Sequence, residues 1–237
     1  MPNNSENKRA RLGPAPGAVK QLLGDGSDCQ NILQPLVDTK GIIFPYTPDV
    51  TFGGTANYSS WHFTHSNYQQ YQYQNSSPSE IQITATFTAQ TNEEARYLLG
   101  TLAFLRSATM IDFGTEAVKR DTAGTPPPVL RFSYLGQRMF NKIPVVVQNF
   151  SYILERDIDY VECTFPGTTP AGRQQVGVGQ LIKGGPDLPI TKNVRTWVPT
   201  QITITIMLGI QQNPKYTRDN FDLDAFKRGD LINKGFI

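Results

Sequence analysis

The sequence predicts a mainly β, antiparallel domain with one flanking α-helix, arranged as a sandwich or barrel. Three stretches carry that prediction. From Ile81 to Gln90 the side chains alternate strictly, with Ile81, Ile83, Ala85, Phe87 and Ala89 on one face and Gln82, Thr84, Thr86, Thr88 and Gln90 on the other, the two-residue period of a half-buried strand. Near the C-terminus Ile202, Ile204, Ile206, Leu208 and Ile210 repeat the pattern against Gln201, Thr203, Thr205, Met207 and Gly209. Between them, Thr91 followed by Glu94 is a capping-box signature, and Ala95, Leu98, Leu99, Leu102 and Leu105 then recur at helical spacing. The helix is expected over about 92–107, and its apolar stripe needs a sheet to cover.

The remaining elements follow in order. Residues 1–40 are rich in Gly, Pro, Asn and Asp with short apolar clusters only. They are read as an extended N-terminal arm, disordered or laid on a neighbouring subunit, because so little apolar surface does not offset ordering entropy. The body, 41–213, carries further strands over 56–65, 68–74, 129–135, 143–154 and 160–165, several bounded by Pro, Gly or Asn-rich turns. A Gly, Pro and Thr-rich loop is expected over 166–199, far longer than the usual connection of about 4 to 6 residues. After Pro214 a polar tail carries Phe221, Leu223, Phe226, Phe236 and Ile237. With few local partners, these hydrophobes are candidates for docking on a neighbouring subunit or back on the body.

Composition narrows the function. Charged residues are 18% of the 237, and 22 Lys and Arg against 20 Asp and Glu leave a net charge of +2. That is too little for a dedicated nucleic-acid binder, whose affinity comes from many phosphate contacts. No apolar run approaches the roughly 18 residues a membrane span requires. The N-terminus has Lys8, Arg9 and Arg11 but no apolar stretch after them, so no secretory signal is read and folding in a cytosol is expected. There the two cysteines, Cys29 and Cys163, stay thiols, with Cys163 read as a small core residue.

The candidate catalytic constellations each read as something plainer, so neither an enzyme nor a cofactor nor a metal site is expected. His62 and His65 stand three apart in an expected strand, which points them to opposite faces. Gly177, Gly179, Gly184 and Gly185 with Lys183 lack the spacing and flanking elements of a phosphate loop. Glu155, Asp157, Asp159 and Glu162, with Arg156 among them, read as a solvated turn rather than acid/base partners. Tyr58, Trp61, Phe63, Tyr68, Tyr71 and Tyr73 form an aromatic stretch in a Gln and Asn-rich context without Lys or Arg. A subunit interface suits them better than a stacking platform, but a β-sandwich binding module for carbohydrate or single-stranded nucleic acid stays the alternative.

Several phrases together point to a family: FPYTP at 44–48, ANYS at 56–59, THSNY at 64–68, YQNSSPSEIQITATFTAQT at 73–91, EEARYLLG at 93–100, FLRSATM at 104–110, TPPPVLRFSYLG at 125–136, IPVVV at 143–147 and FDLDAFKRGDLINKGFI from Phe221. With these the chain resembles the baseplate tail-tube junction proteins, the tube initiators or tube caps, of contractile-tailed, T-even-like bacteriophages. The resemblance implies a tail-tube-like sandwich or barrel assembled as a hexameric ring. It also implies a structural, late-made virion protein, assembled in the host cytoplasm and located between the baseplate hub and the tail tube. Its lumen would pass double-stranded DNA during genome ejection without specific binding, and no membrane contact is implied. Whether the ring is hub-proximal or tube-proximal is left open. From Ala56 to Ala89 the only charged side chain is Glu80, so Gln70, Gln72, Gln82, Thr84 and Thr86 are candidates to line that lumen. The alternative is that they face outward, since strand alternation alone does not choose.

Overall fold

A computed structural model describes residues 8–23, 32–113, 124–165 and 194–237. Its centre is a seven-stranded antiparallel sheet. Among the described residues the strands are, in chain order, β1 (Arg11–Pro14), β2 (Ile42–Ile43), β3 (Asp49–Thr51), β4 (Gly54–Trp61), β5 (Gln70–Pro78), β6 (Ile81–Thr88), β7 (Leu130–Tyr134), β8 (Phe140–Ile153), β9 (Tyr160–Phe165), β10 (Val194–Pro199) and β11 (Gln201–Ile210). The sheet runs β2-β1-β7-β8-β11-β6-β3, while β4 with β5 and β9 with β10 form separate two-stranded ribbons. Among the described residues the sheet has two open ends and does not close into a barrel, and the mainly β, antiparallel, helix-flanked fold class that the sequence predicts is the one that forms.

The two strongest strand predictions lie side by side at its heart. β6 and β11 pair with Ile83 opposite Ile206 and Ala85 opposite Ile204, so both apolar rows fall on one face and are buried. Helix α3 (Asn92–Ala108) covers that face. Its capping box forms as the sequence predicts: the Thr91 hydroxyl accepts from Glu94 N–H at 3.3 Å, and the Glu94 carboxylate accepts from Thr91 N–H at 3.3 Å. Ala95, Leu98, Leu102 and Leu105 are buried, with Leu102 at 7% exposure. β9 runs against α3, where Arg96 donates to the Thr164 carbonyl and Asn92 bonds the Thr164 backbone and side chain. Cys163, Phe165 and Val198 thereby join the same core. β8 pairs with β11 through a bulge that leaves Gln148 unopposed. A Cβ on Gly209 would lie 2.5 Å from the Gln148 amide, so the bulged side chain lies across β11 at the glycine and would have to swing aside for any larger residue there.

The described part of 1–40 is not a free arm. β1 pairs with β2 on one side and β7 on the other, and Ala10, Leu12, Leu22, Leu23 and Leu36 are buried in the common core. Short helices α1 (Val19–Leu23) and α2 (Gln34–Thr39) pack on α3. Apolar clusters too sparse to order themselves are ordered by an apolar sheet end and helix already present, which is tertiary context overriding local composition. Of the expected 166–199 loop, the last six residues are β10, and 166–193 lie outside the described residues. So do Cys29, Gly177, Gly179, Gly184, Gly185 and Lys183.

Candidate assembly surface

The β4–β5 ribbon is the feature least explained by the fold. It leaves the β3/β6 end of the sheet through Gly53, whose carbonyl accepts from Ser79 N–H at 2.7 Å. Every residue of both strands is exposed except the half-buried Ser59. The backbone ladder is complete nonetheless, from Gly54 opposite Pro78 to Trp61 opposite Gln70, with one bulge at Gln74. Register sorts its side chains into two faces. Tyr58 opposes Tyr73 and Ser60 opposes Tyr71 on one, while Ser59, Trp61, Gln70 and Gln72 share the other. Tyr58 and Tyr73 meet edge to face at 5.7 Å, and Asn57 donates to Asn75 at 2.7 Å. The tip, 62–69, holds Phe63 and Tyr68, 55% and 84% exposed.

The lumen candidates divide between two places. Gln82, Thr84 and Thr86 stand together on the outer face of the sheet, where Thr84 opposes Thr205, Thr86 opposes Thr203 and Gln82 opposes Met207. Asp49 and Thr51 of β3 extend that face, and no Lys or Arg occurs in β3, β6 or β11. Gln70 and Gln72 belong instead to the ribbon, on the face away from its tyrosines.

The C-terminal docking candidates also divide. Helices α4 (Pro214–Asn220) and α5 (Leu223–Arg228) fold the tail into a local aromatic cluster. Phe236 is 7% exposed, stacked on Tyr216 at 5.8 Å and against Phe221 at 5.7 Å. Ile237 packs on the core. The local partners that the sequence did not reveal are therefore supplied within the tail and by Pro144 and Gln212 beside Gly235, so Phe236 and Ile237 dock on their own chain. Phe226 is half-buried against Phe221 at 5.6 Å. Of the five, Phe221 and Leu223, 44% and 56% exposed, remain available to a neighbour. Between Phe221, Phe226 and Phe236 and the root of the ribbon lies an open groove of about 840 Å³.

The other sequence-derived sites come out as ordinary surface or core. β4 ends at Trp61, so His62 and His65 sit in the ribbon tip rather than in a strand; both are exposed, and His65 has φ +61°. Glu155, Asp157 and Asp159 are exposed in the β8–β9 turn, and Glu162 pairs with Arg195 at 3.2 Å. Among the described residues no group of three or more His, Cys, Asp or Glu is placed to hold a metal ion, and no helix is long and apolar enough to cross a membrane. Cys163 is fully buried; burial pushes its thiol above the ordinary value, with Arg96 pulling weakly the other way, the opposite of an activated nucleophile.

One residue that sequence reading missed governs a sheet edge. The Tyr97 hydroxyl accepts from Ile43 N–H at 2.6 Å and donates to Ile43 C=O at 2.9 Å, which occupies the outer backbone groups of β2 and blunts it against strand addition. Nothing local in the sequence marks a partner 54 residues away. No protein-family model matches this chain, and no curated protein matches it significantly.

Proposed function

We propose that the chain is a structural assembly subunit, a ring-forming protein that joins the baseplate hub to the tail tube of a contractile phage tail and lets the genome pass. The observation that carries this reading is the β4–β5 ribbon. An isolated two-stranded hairpin is marginal in water, and this one exposes Tyr58, Trp61, Phe63, Tyr68, Tyr71 and Tyr73 without a covering element among the described residues. A ribbon that carries exposed aromatics on both faces and at its tip fits a protein partner, and aromatic side chains are enriched at interface cores. The uncharged Gln and Thr face on β6 and β11 supports the second half of the reading. A channel for double-stranded DNA must not hold phosphates, and each Lys or Arg facing it would add a salt-dependent attraction.

Electron microscopy and mass measurement of the purified chain, alone and with hub and tube proteins, test the proposal. Hexameric rings are expected in at least one of these mixtures. A chain that stays monomeric in all of them and binds an oligosaccharide or oligonucleotide saturably through the tyrosine face would replace this reading with the binding-module alternative. The lumen assignment has its own test. Thr84→Arg with Thr86→Arg should permit rings but slow DNA passage, most at low salt where the added attraction is least screened.

A further inference from the structure

The outer face of the central sheet changes character from one end to the other. Over β3, β6 and β11 it carries no cation, but over β1, β7 and the start of β8 it gathers Arg11, Arg131 and Lys142. Lys40 is brought there by two glycines. A Cβ on Gly13 would lie 2.6 Å from the Lys40 carbonyl oxygen, and one on Gly41, at φ +123°, would lie 2.5 Å from Gly13 Cα. The turn after α2 is thus pressed onto β1 at the position directly opposite Arg131. On the far side, Lys142 N–H donates to the Ser133 hydroxyl at 3.0 Å, and Ser133 stands opposite Arg11. All four cations line one open cavity of about 870 Å³ whose remaining wall includes Pro14, Val19 and Val37, and no carboxylate lines it among the described residues.

Both of these lysines sit in costly backbone. Lys40 and Lys142 have φ +55° and +51°, a region where Gly or Asn is accommodated with less strain. The backbone conformation does not itself call for a lysine at either position. Lys40, Arg131 and Lys142 have no ion-pair partner among the described residues.

The complementary surface is at the other end of β8. The turn over 154–160 exposes Glu155, Asp157 and Asp159 against the single cation Arg156, and it presents Leu154 and Tyr160, 57% and 46% exposed, with Ile158 between the aspartates. Twelve residue steps along β8 separate Lys142 from Leu154, roughly 40 Å at about 3.3 Å per residue, so one molecule cannot bring the two together. We infer that the cavity receives the acidic 154–160 turn of a second copy of this chain. The contact is head-to-tail, and closes into a ring or continues as a stack according to its rotation; for closure alone it rests on the ring reading above. Carboxylates would meet the Lys40, Arg131 and Lys142 rim while the turn's apolar side chains lie on the Pro14 and Val37 wall.

Charge exchange decides it. Lys40→Glu with Arg131→Glu in one chain, and Asp157→Lys with Asp159→Lys in another, should each raise the concentration needed for half-assembly at least tenfold at low salt. Mixing the two variants should restore association, because the acidic cavity of one then meets the basic turn of the other. Assembly of each variant at wild-type concentrations, or loss without rescue on mixing, overturns the inference. So does binding of tripolyphosphate that the cavity variant alone abolishes while assembly is unchanged, which would make the cavity a phosphate site. Rescue seen in assemblies that micrographs show to be neither rings nor tubes would keep this contact and sink the ring reading.

Discussion

β6 and β5 are consecutive strands of similar length with opposite fates. In β6 the apolar row Ile81, Ile83, Ala85 and Phe87 is buried to 3% exposure or less beneath α3. In β5 the alternation is as regular, Gln against Tyr from Gln70 to Tyr73, yet Tyr71 and Tyr73 are 68% and 54% exposed. Both have a full backbone ladder to their neighbours. The difference lies in what stands over the second face, since a strand gains its stability from packed side chains more than from its ladder. Alternation states that a face is meant to be covered; it does not state by what. In β6 the cover is intramolecular, and in β5 no described element of the chain supplies one.

The largest effect expected from breaking the covered side is at Phe87, which is 1% exposed and 5.8 Å from the Phe44 ring. Phe87→Ala should cost about 3 to 5 kcal/mol through lost burial and a cavity, read by urea unfolding of the monomeric protein. A loss below about 1 kcal/mol would mean the site collapses freely, and the two strands would then differ less than their burial implies.

An intermediate effect sits at the blunted edge. Tyr97→Phe removes the hydroxyl that occupies both backbone groups of Ile43, at a cost of about 1 to 3 kcal/mol for polar groups left without partners. The pH dependence has a definite sign. Burial raises the Tyr97 phenol above its ordinary value, more than the bonds to Ile43 and Thr39 and the charge of Arg11 lower it. The unfolded tyrosine therefore loses its proton first, so wild-type stability should fall as pH rises through about 10. The phenylalanine variant should show a shallower fall in the same titration. Equal slopes would show that this hydroxyl does not control the alkaline limb.

How legible these regions are in the sequence depends on the range of the interaction that fixes them. The helix from Asn92 and its Thr91–Glu94 cap are set by contacts within a few residues, and β11 is long enough for its two-residue period to show, so all three are readable. β1, β2 and β3 are two to four residues long and exist because a sheet edge elsewhere accepts them; no period can be seen in so few positions. The C-terminal hydrophobes are visible, but Phe236 finding Tyr216 requires the turns at Gly229 and Gly235, with φ of +79° and +82°. The cationic cavity is the least readable feature, since Arg11, Lys40, Arg131 and Lys142 meet only through strand order. Thr91→Ala, which removes a local and therefore readable interaction, should cost about 1 kcal/mol in thermal or urea unfolding. A null result would place the helix start under tertiary control instead.

The smallest effect on folding, and the sharpest contrast with Phe87, is expected on the ribbon. Tyr71→Ser with Tyr73→Ser deletes two large side chains from the same face of β5. If that face has no intramolecular cover, the double change removes little beyond the 5.7 Å edge-to-face pair with Tyr58 and the 2.8 Å hydroxyl bond to Ser76. Exposed substitutions of this kind stay within about 0.5 kcal/mol, so the monomer should unfold almost as wild type does. Assembly should behave oppositely, because an interface anchored on buried aromatics loses most of its affinity with a few of them. Sedimentation of the variant over a concentration series, beside urea unfolding of the same sample, separates the two quantities. A variant that loses several kcal/mol of folding stability would show that the tyrosine face already packs on its own chain. One that assembles at wild-type concentrations would remove the ribbon from the proposed interface.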